Sequence, residues 1–262
     1  MQIGAKEKFC PRDDGNACQR VIDLFFFDKH DKKTVEKRTS KKSILLYGGH
    51  FRPNGITTSL LNLTNNIDES IYTTTILTDP QNISSNEEHL QQFSMLNEKI
   101  HIISRTGRML QTLEEQSIIK TFNSRRTLST QEMWDIYIKS YNREYKRIFG
   151  QAAFDAIVDF EGYRVFYASI LGGNQNRHLK SSIYQHNNMH GEWSKKDPSL
   201  ENLFRIYNLY DQIVSVSKHT MDLNVEHLAN SFSINKDKFV YCDNVQNPEN
   251  TLEKSKLPLE DE

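Results

Sequence analysis

The segment Ser43–Leu63, SILLYGGHFRPNGITTSLLNL, decides the fold of this chain. Ile44-Leu45-Leu46-Tyr47 is short and wholly apolar, as a parallel strand covered on both faces must be. Gly48, Gly49 and Gly55 free the backbone that follows, and Pro53-Asn54-Gly55 is a turn signal. Where Cβ is missing, a ligand can come close to the main-chain N–H groups that open a helix. Thr57 or Thr58 is expected to cap that helix, which carries Leu60, Leu63 and Ile67 on one face. Strand, glycine turn and amphipathic helix make the opening unit of a nucleotide- or sugar-handling α/β domain.

With 262 residues the chain can bury a sizeable core, and one domain of about 200 residues plus appendages is the natural expectation. A net charge of −1 provides no global field for nucleic acid or for an acidic partner. No apolar run approaches the roughly 20 residues of a membrane span, and the N-terminus lacks the apolar segment of a secretory signal. The expected location is the cytoplasm. Cys10, Cys18 and Cys242 have neither metal-ligand spacing nor the even number of a disulfide framework, in keeping with a reducing compartment.

Along the chain, residues 1–28 read as a helical tail, with Val21, Leu24, Phe25 and Phe26 or Phe27 forming an apolar face in need of a partner. Residues 29–42 are a charged run without apolar periodicity, expected to be a linker. The globular domain is expected over 43–245, followed by a polar tail or truncated interdomain linker over 246–262. Within the domain, strands are expected at Tyr72–Thr78, Lys99–Ser104, Phe154–Phe160, Ser182–His186, Gln212–Ser217 and Lys238–Asp243. Helices are expected at Gln131–Phe149, from Val165 to Gly172-Gly173, and at Lys218–Leu228. The aromatic residues Trp134, Tyr137, Tyr141 and Tyr145 recur at helical spacing and read as core. Asn82–Gln92 and Arg105–Ser129 are polar and less regular, suited to helices or loops over the sheet. This alternation implies α/β architecture: a Rossmann-like, doubly wound parallel sheet with right-handed crossovers.

Four segments in order carry a resemblance: ILLYGGHFRPNGITTSLLNLTNNID, FDAIVDFEG, IYQHNNMHGEW and YDQIVSVSKHTMDL. Together they resemble the N-terminal domain of a GT-B glycosyltransferase of the family-4 kind. A shorter stretch, PRDDGNACQRVIDLFF, is similar to the C-terminal tail of CDP-glycerol glycerophosphotransferases, which build teichoic acids and related capsules. The resemblance implies the acceptor-side half of an enzyme that transfers a sugar from a nucleotide-sugar donor to a bacterial cell-surface polymer. The alternative is a non-catalytic polymer-binding module of a multidomain CDP-glycerol glycerophosphotransferase. It further implies that the donor is bound mainly by a second domain absent from this sequence, so the chain is not expected to catalyse alone. No cofactor and no metal is expected; the partners are the donor and a polymer or lipid-linked acceptor, with peripheral contact at the inner membrane face left open. A small-molecule reductase is disfavoured, because the loop spacing is neither G-x-G-x-x-G nor G-x-x-x-x-G-K-[ST].

The residues expected to bind substrate follow from strand ends, since ligands of open α/β sheets sit at the carboxyl edge. Gly48, Gly49 and Gly55 form the loop, whose alternative reading is a tight turn without ligand. His50 and Arg52 stand in the same loop, as phosphate contacts or as solvated charge. The resemblance makes His186 the cleft histidine and catalytic candidate; the competing reading is a loop histidine bonded to backbone. Asn187 and Asn188 follow it, and Ser217 marks the approach to the interdomain crevice. Glu161 is a candidate for acceptor hydroxyls or for a cap on the next helix. Asp155 and Asp159 read as strand-end and loop residues rather than as an acid/base pair.

Overall fold

The computed structural model describes residues 14–27, 29, 40–174, 179–246 and 256. Cys10, the start of the glycerophosphotransferase-like tail, residues 30–39 of the expected linker and nearly all of 247–262 lie outside them. The chain divides between Ser40 and Lys41 into two units. In the first, helix α1 (Ala17–Phe27) forms as its periodicity predicts, tied by an Arg20–Asp14 ion pair of 2.8 Å. Val21, Ile22, Phe26 and Phe27 of this helix are exposed.

In the second unit, seven strands form one sheet. They are β1 (Lys42–Tyr47), β2 (Tyr72–Thr78), β3 (His101–Ser104), β4 (Ala156–Asp159), β5 (Lys180–Gln185), β6 (Gln212–Ser215) and β7 (Phe239–Tyr241). Their order is 3-2-1-4-5-6-7 and every neighbouring pair is parallel. All strand C-termini therefore lie along one edge. The chain builds outward from β1 on one side through β2 and β3, then returns to β4 on the other, so the β1/β4 boundary is the topological switch point.

Crossovers are made by α2 (Gly55–Asn66) after β1 and by α3 (Pro80–Ser84) and α4 (Glu87–Ser94) after β2. Helices α5 (Leu113–Arg125) and α6 (Gln131–Phe149) precede β4, and α7 (Val165–Gly172) follows it. Helices α8 (Met189–Lys195) and α9 (Leu200–Ile206) precede β6, and α10 (Lys218–Asn224) precedes β7. The strands alternate between two cores, as a pleated sheet requires. Leu45, Tyr47, Leu77, Ile157 and Ile183 face one core, which also holds Phe122 of α5, Tyr137 and Tyr141 of α6 and Phe204 of α9. Leu46, Ile76 and Phe160 face the other, with Leu60 of α2, Ile83 of α3 and Phe93 of α4. The unit is a Rossmann-like, doubly wound α/β structure, and α6 buries its tyrosines as its spacing predicts.

Two local readings are corrected. The cap of α2 is neither Thr57 nor Thr58 but Asn54, whose Oδ1 accepts from Thr57 N at 3.0 Å. Asparagine supplies the better-placed acceptor three residues before Thr57, which is buried instead. The helix expected to continue to Leu228 ends as α-helix at Asn224 and widens into a π turn over Val225–Ala229. Asn224 is wholly buried there, with its side chain bonded to Met189 N, Gln185 Oε1 and Asn187 O. Asn54→Ala is expected to lower stability by about 1 kcal/mol in urea denaturation. Thr58→Ala, at an exposed position outside the cap, should cost less than about 0.5 kcal/mol; equal losses would contradict the cap assignment.

Candidate functional site

At the carboxyl edge of the sheet, spanning the switch point, lies a cavity of about 760 Å³. One wall is the loop after β1: Gly48, Gly49, His50, Phe51, Arg52 and Asn54, continued by Ile56 and Thr57 of α2. The facing wall is the segment after β4, namely Glu161, Tyr163 and Arg164, with the first turn of α7. Asp79 and Asn82 after β2, Arg105 after β3, and Asp197 and Ser199 between α8 and α9 complete it.

Close packing explains both adjacent glycines of the loop. A Cβ on Gly48 would lie 2.1 Å from Leu60 Cδ2. Gly49 has φ +79°, and a Cβ there would meet Glu161 Cγ at 2.9 Å. The loop thus lies directly against the carboxylate side chain of the other wall. Phe51 is also held at positive φ, 55°, while fully buried and edge-on to Phe93 with ring centroids 5.1 Å apart. Gly55 opens α2 with no atom within 4 Å of the place its Cβ would take, and it does not line the cavity.

The charged groups of the cavity differ in how they are held. Glu161 Oε1 accepts from Arg164 Nε at 3.2 Å, whereas its buried Oε2 has no protein partner. Burial pushes the Glu161 carboxyl above its usual range, opposed by the Arg164 guanidinium. Burial, and after it the Arg164 charge, lowers His50 to about 4, with Asp79 opposing, so its imidazole is neutral at pH 7. Arg52 has no ion-pair partner among the described residues. Tyr167 donates to Asp79 Oδ2 at 3.1 Å and stacks on Tyr47 with centroids 3.9 Å apart. Arg105 is fixed from behind: its Nε donates to Glu144 Oε1 at 3.1 Å and its guanidinium lies over the Phe166 ring at 4.5 Å.

Gly48, Gly49 and Glu161 are thus brought together, along with His50 and Arg52. The other expected residues are placed elsewhere. The ring of His186 is hydrogen-bonded to the Phe160 carbonyl and packs on Phe160 and Tyr184, the arrangement of a loop histidine bonded to backbone. Asn187 reaches the cavity only at one remove, donating to the Tyr163 hydroxyl at 3.1 Å. Asn188 caps α8 by accepting from Gly191 N, and Ser217 caps α10 by accepting from Thr220 N. Glu161 does not cap α7, whose N-cap is Arg164, without a side-chain bond. Asp155 accepts from Ser43 N at 2.7 Å at the start of the sheet, a strand-end role. Sequence reading passed over Asp79, Arg105 and Asp197 as cavity residues. The first two stand immediately after β2 and β3, and that position was the available signal. Among the described residues no group of three or more His, Cys, Asp or Glu side chains is arranged to hold a metal ion.

No family model and no curated protein matches the chain. Among solved structures, it is similar to UGT89C1 of Arabidopsis thaliana complexed with UDP, with 13% identity and a TM-score of 0.44 over 84% of this chain and 55% of that one. The same plant protein complexed with quercetin gives 14% identity and 0.43, over 83% and 56%. A ugt transferase from Siraitia grosvenorii in complex with UDP gives 11% and 0.42, over 82% and 55%. The chain spans about half the length of each.

Glu144 is almost wholly buried and takes Arg147 as well as Arg105, at 2.7 and 3.1 Å. Burial pushes its carboxyl up, but the two guanidiniums outweigh this and hold it below its usual value. Its stabilisation is therefore present at neutral pH and is lost as pH falls through the depressed folded value. Glu144→Ala is expected to cost about 3–5 kcal/mol at pH 7. The gap to wild type should narrow below about pH 4 in denaturation curves. A pH-independent gap would contradict an ionised Glu144.

Proposed function

We propose that the Lys41–Glu262 unit is the acceptor-side half of a GT-B glycosyltransferase that passes a sugar from a nucleotide-sugar donor to a bacterial surface polymer of the teichoic-acid or capsule type. The carrying observation is the switch-point cavity, where carboxylates, guanidiniums and aromatic faces converge within one space. A polyol or sugar hydroxyl both donates and accepts, and this lining offers partners for each: Glu161, Asp79 and Asp197 accept, Arg52 and Arg164 donate. Tyr163, Phe166 and Tyr167 supply apolar walls. The four sequence segments that resemble such enzymes support the same reading, and two of them, the glycine loop and FDAIVDFEG, form the two facing walls.

Transfer to a hydroxyl requires a group that takes its proton as the new bond forms. Glu161 suits this better than His50. Its Oε2 is unengaged and its affinity for a proton is raised, whereas the imidazole, lowered to about 4, is a weak base suited to hydrogen bonding. Arg52 is the group for an acceptor phosphate. His186 acts at one remove, holding Phe160 and so the segment that carries Glu161. The nucleotide of the donor would be held chiefly by a second domain facing this cavity.

Calorimetric titration with glycerol-phosphate oligomers and sugar-terminated analogues is expected to reveal binding to the chain. Gly49→Val should weaken it at least about tenfold, roughly 1.4 kcal/mol, with circular dichroism unchanged. Glu161→Gln should retain binding within a few-fold and abolish transfer from the productive member of a nucleotide-sugar panel in the assembled two-domain enzyme. Wild-type binding by a folded Gly49→Val variant would place the acceptor elsewhere.

A further inference from the structure

Beneath the cavity, the last residues of four adjacent strands, Tyr47, Asp159, Gln185 and Ser215, are polar and wholly buried. Tyr47 and Asp159 are register partners across the switch point, and Gln185 and Ser215 are partners on the next pair. Gln185 Oε1 is satisfied by the Ser215 hydroxyl at 2.9 Å and by Asn224 Nδ2 at 3.1 Å. Asp159 is not matched by any cation: no ion pair involves it among the described residues. Its Oδ1 accepts from Gly162 N at 3.0 Å, and its Oδ2 has no protein partner. The titratable groups facing it are Tyr47 from β1, Glu161 from the segment after β4, and Tyr207 and Tyr210 from the segment before β6. Three are neutral phenols that offer no positive charge and one is a carboxyl that opposes a second negative charge.

The Gly162 peptide has one acceptable position. Its φ is +67°, and a Cβ there would lie 2.0 Å from the Tyr184 carbonyl oxygen. The segment from Glu161 to Arg164 turns on this peptide, and its N–H is held by Asp159 alone among side chains. We propose that Asp159 is kept as a neutral carboxylic acid and is the positioning residue of the cavity, fixing Gly162 and thereby the Glu161 carboxylate against Gly49 without adding charge beneath it. An ionised Asp159 would be a buried, uncompensated anion beside Glu161, the costliest arrangement open to this pair. Burial, with a smaller contribution from Glu161, pushes the Asp159 carboxyl well above the usual carboxylate range. The inference does not depend on what the cavity binds.

Infrared spectra of the whole chain at pH 7 test the charge state. A protonated-carboxyl band that shifts in heavy water is expected in wild type and should be absent from Asp159→Asn. Linkage gives a second reading. A folded-state value above the unfolded one means that stability is complete below the unfolded value and erodes as pH rises toward the folded value. Asparagine escapes that erosion, so Asp159→Asn should melt about 2–4 °C or more above wild type at pH 8, and level with it near pH 4. Amide exchange tests positioning: Gly162 should stay protected in Asp159→Asn and lose protection at least tenfold in Asp159→Leu. A missing band, a destabilised Asp159→Asn at pH 8, or an unaltered Gly162 amide in Asp159→Leu would each overturn the proposal.

Discussion

The carbonyl of Tyr47 accepts two backbone N–H groups, from Phe160 at 2.8 Å and from Glu161 at 3.2 Å. This forked bond joins the last residue of β1 to the first two residues beyond β4, at the one place in the sheet where the chain reverses its direction of growth. Everything at the cavity depends on it. The loop after β1 and the segment after β4 leave the sheet from the same point and then diverge, one into α2 and the other into α7. A crevice between them is the geometric result of a parallel sheet built outward from β1 on both sides. The fork sets its width at the base, and the close approach of Gly49, two residues beyond Tyr47, to the Glu161 side chain sets it above.

How far the sequence discloses this arrangement follows from the range of the forces involved. Strands β1 and β4 are readable because the middle of a strand covered on both faces must be apolar, and Ile44–Leu46 and Ala156–Val158 carry that requirement locally. The nineteen-residue helix α6 is readable for the same reason, its aromatic stripe being a local record of burial. Helices α3 and α4 are not, since five and eight largely polar residues hold little periodicity and owe their form to caps and to a few contacts such as Ile83 and Phe93. At the site, position along a strand is legible, which is why the glycine loop and Glu161 could be named. Side-chain direction is not. His186 follows β5 at the correct edge, but its ring turns to the Phe160 carbonyl, a bond between residues 26 apart that no local pattern encodes. Asn188 and Ser217 likewise carry a polar group to the expected edge and spend it on the helix that follows.

The same distinction separates the two aspartates of the FDAIVDF strand. Asp155 lies at the entry, where its carboxylate meets the free N–H of Ser43 near solvent. Asp159 lies four residues on, at the exit and inside the protein, where the same functional group meets only one N–H and no cation. Nothing in the residue type distinguishes them. Their chemistry is set by depth in the sheet, and depth is a property of the whole fold.

Phe51 shows how the loop after β1 is held in the shape the cavity needs. A bulky residue at φ 55° is a strained conformation, with a cost of about 1–3 kcal/mol. Full burial of a phenylalanine side chain returns about 1.5–3 kcal/mol, so the two nearly balance. The anchor therefore contributes little net stability; what it supplies is direction. With Phe51 turned inward onto Phe93, its neighbours His50 and Arg52 are placed on the cavity side of the loop, and the loop cannot relax without exposing the ring. A glycine at position 51 would remove the strain and the anchor together, leaving the backbone free to adopt many shapes. The phenylalanine permits one, and the opposing wall, fixed through Gly162 and Asp159, is complementary to it.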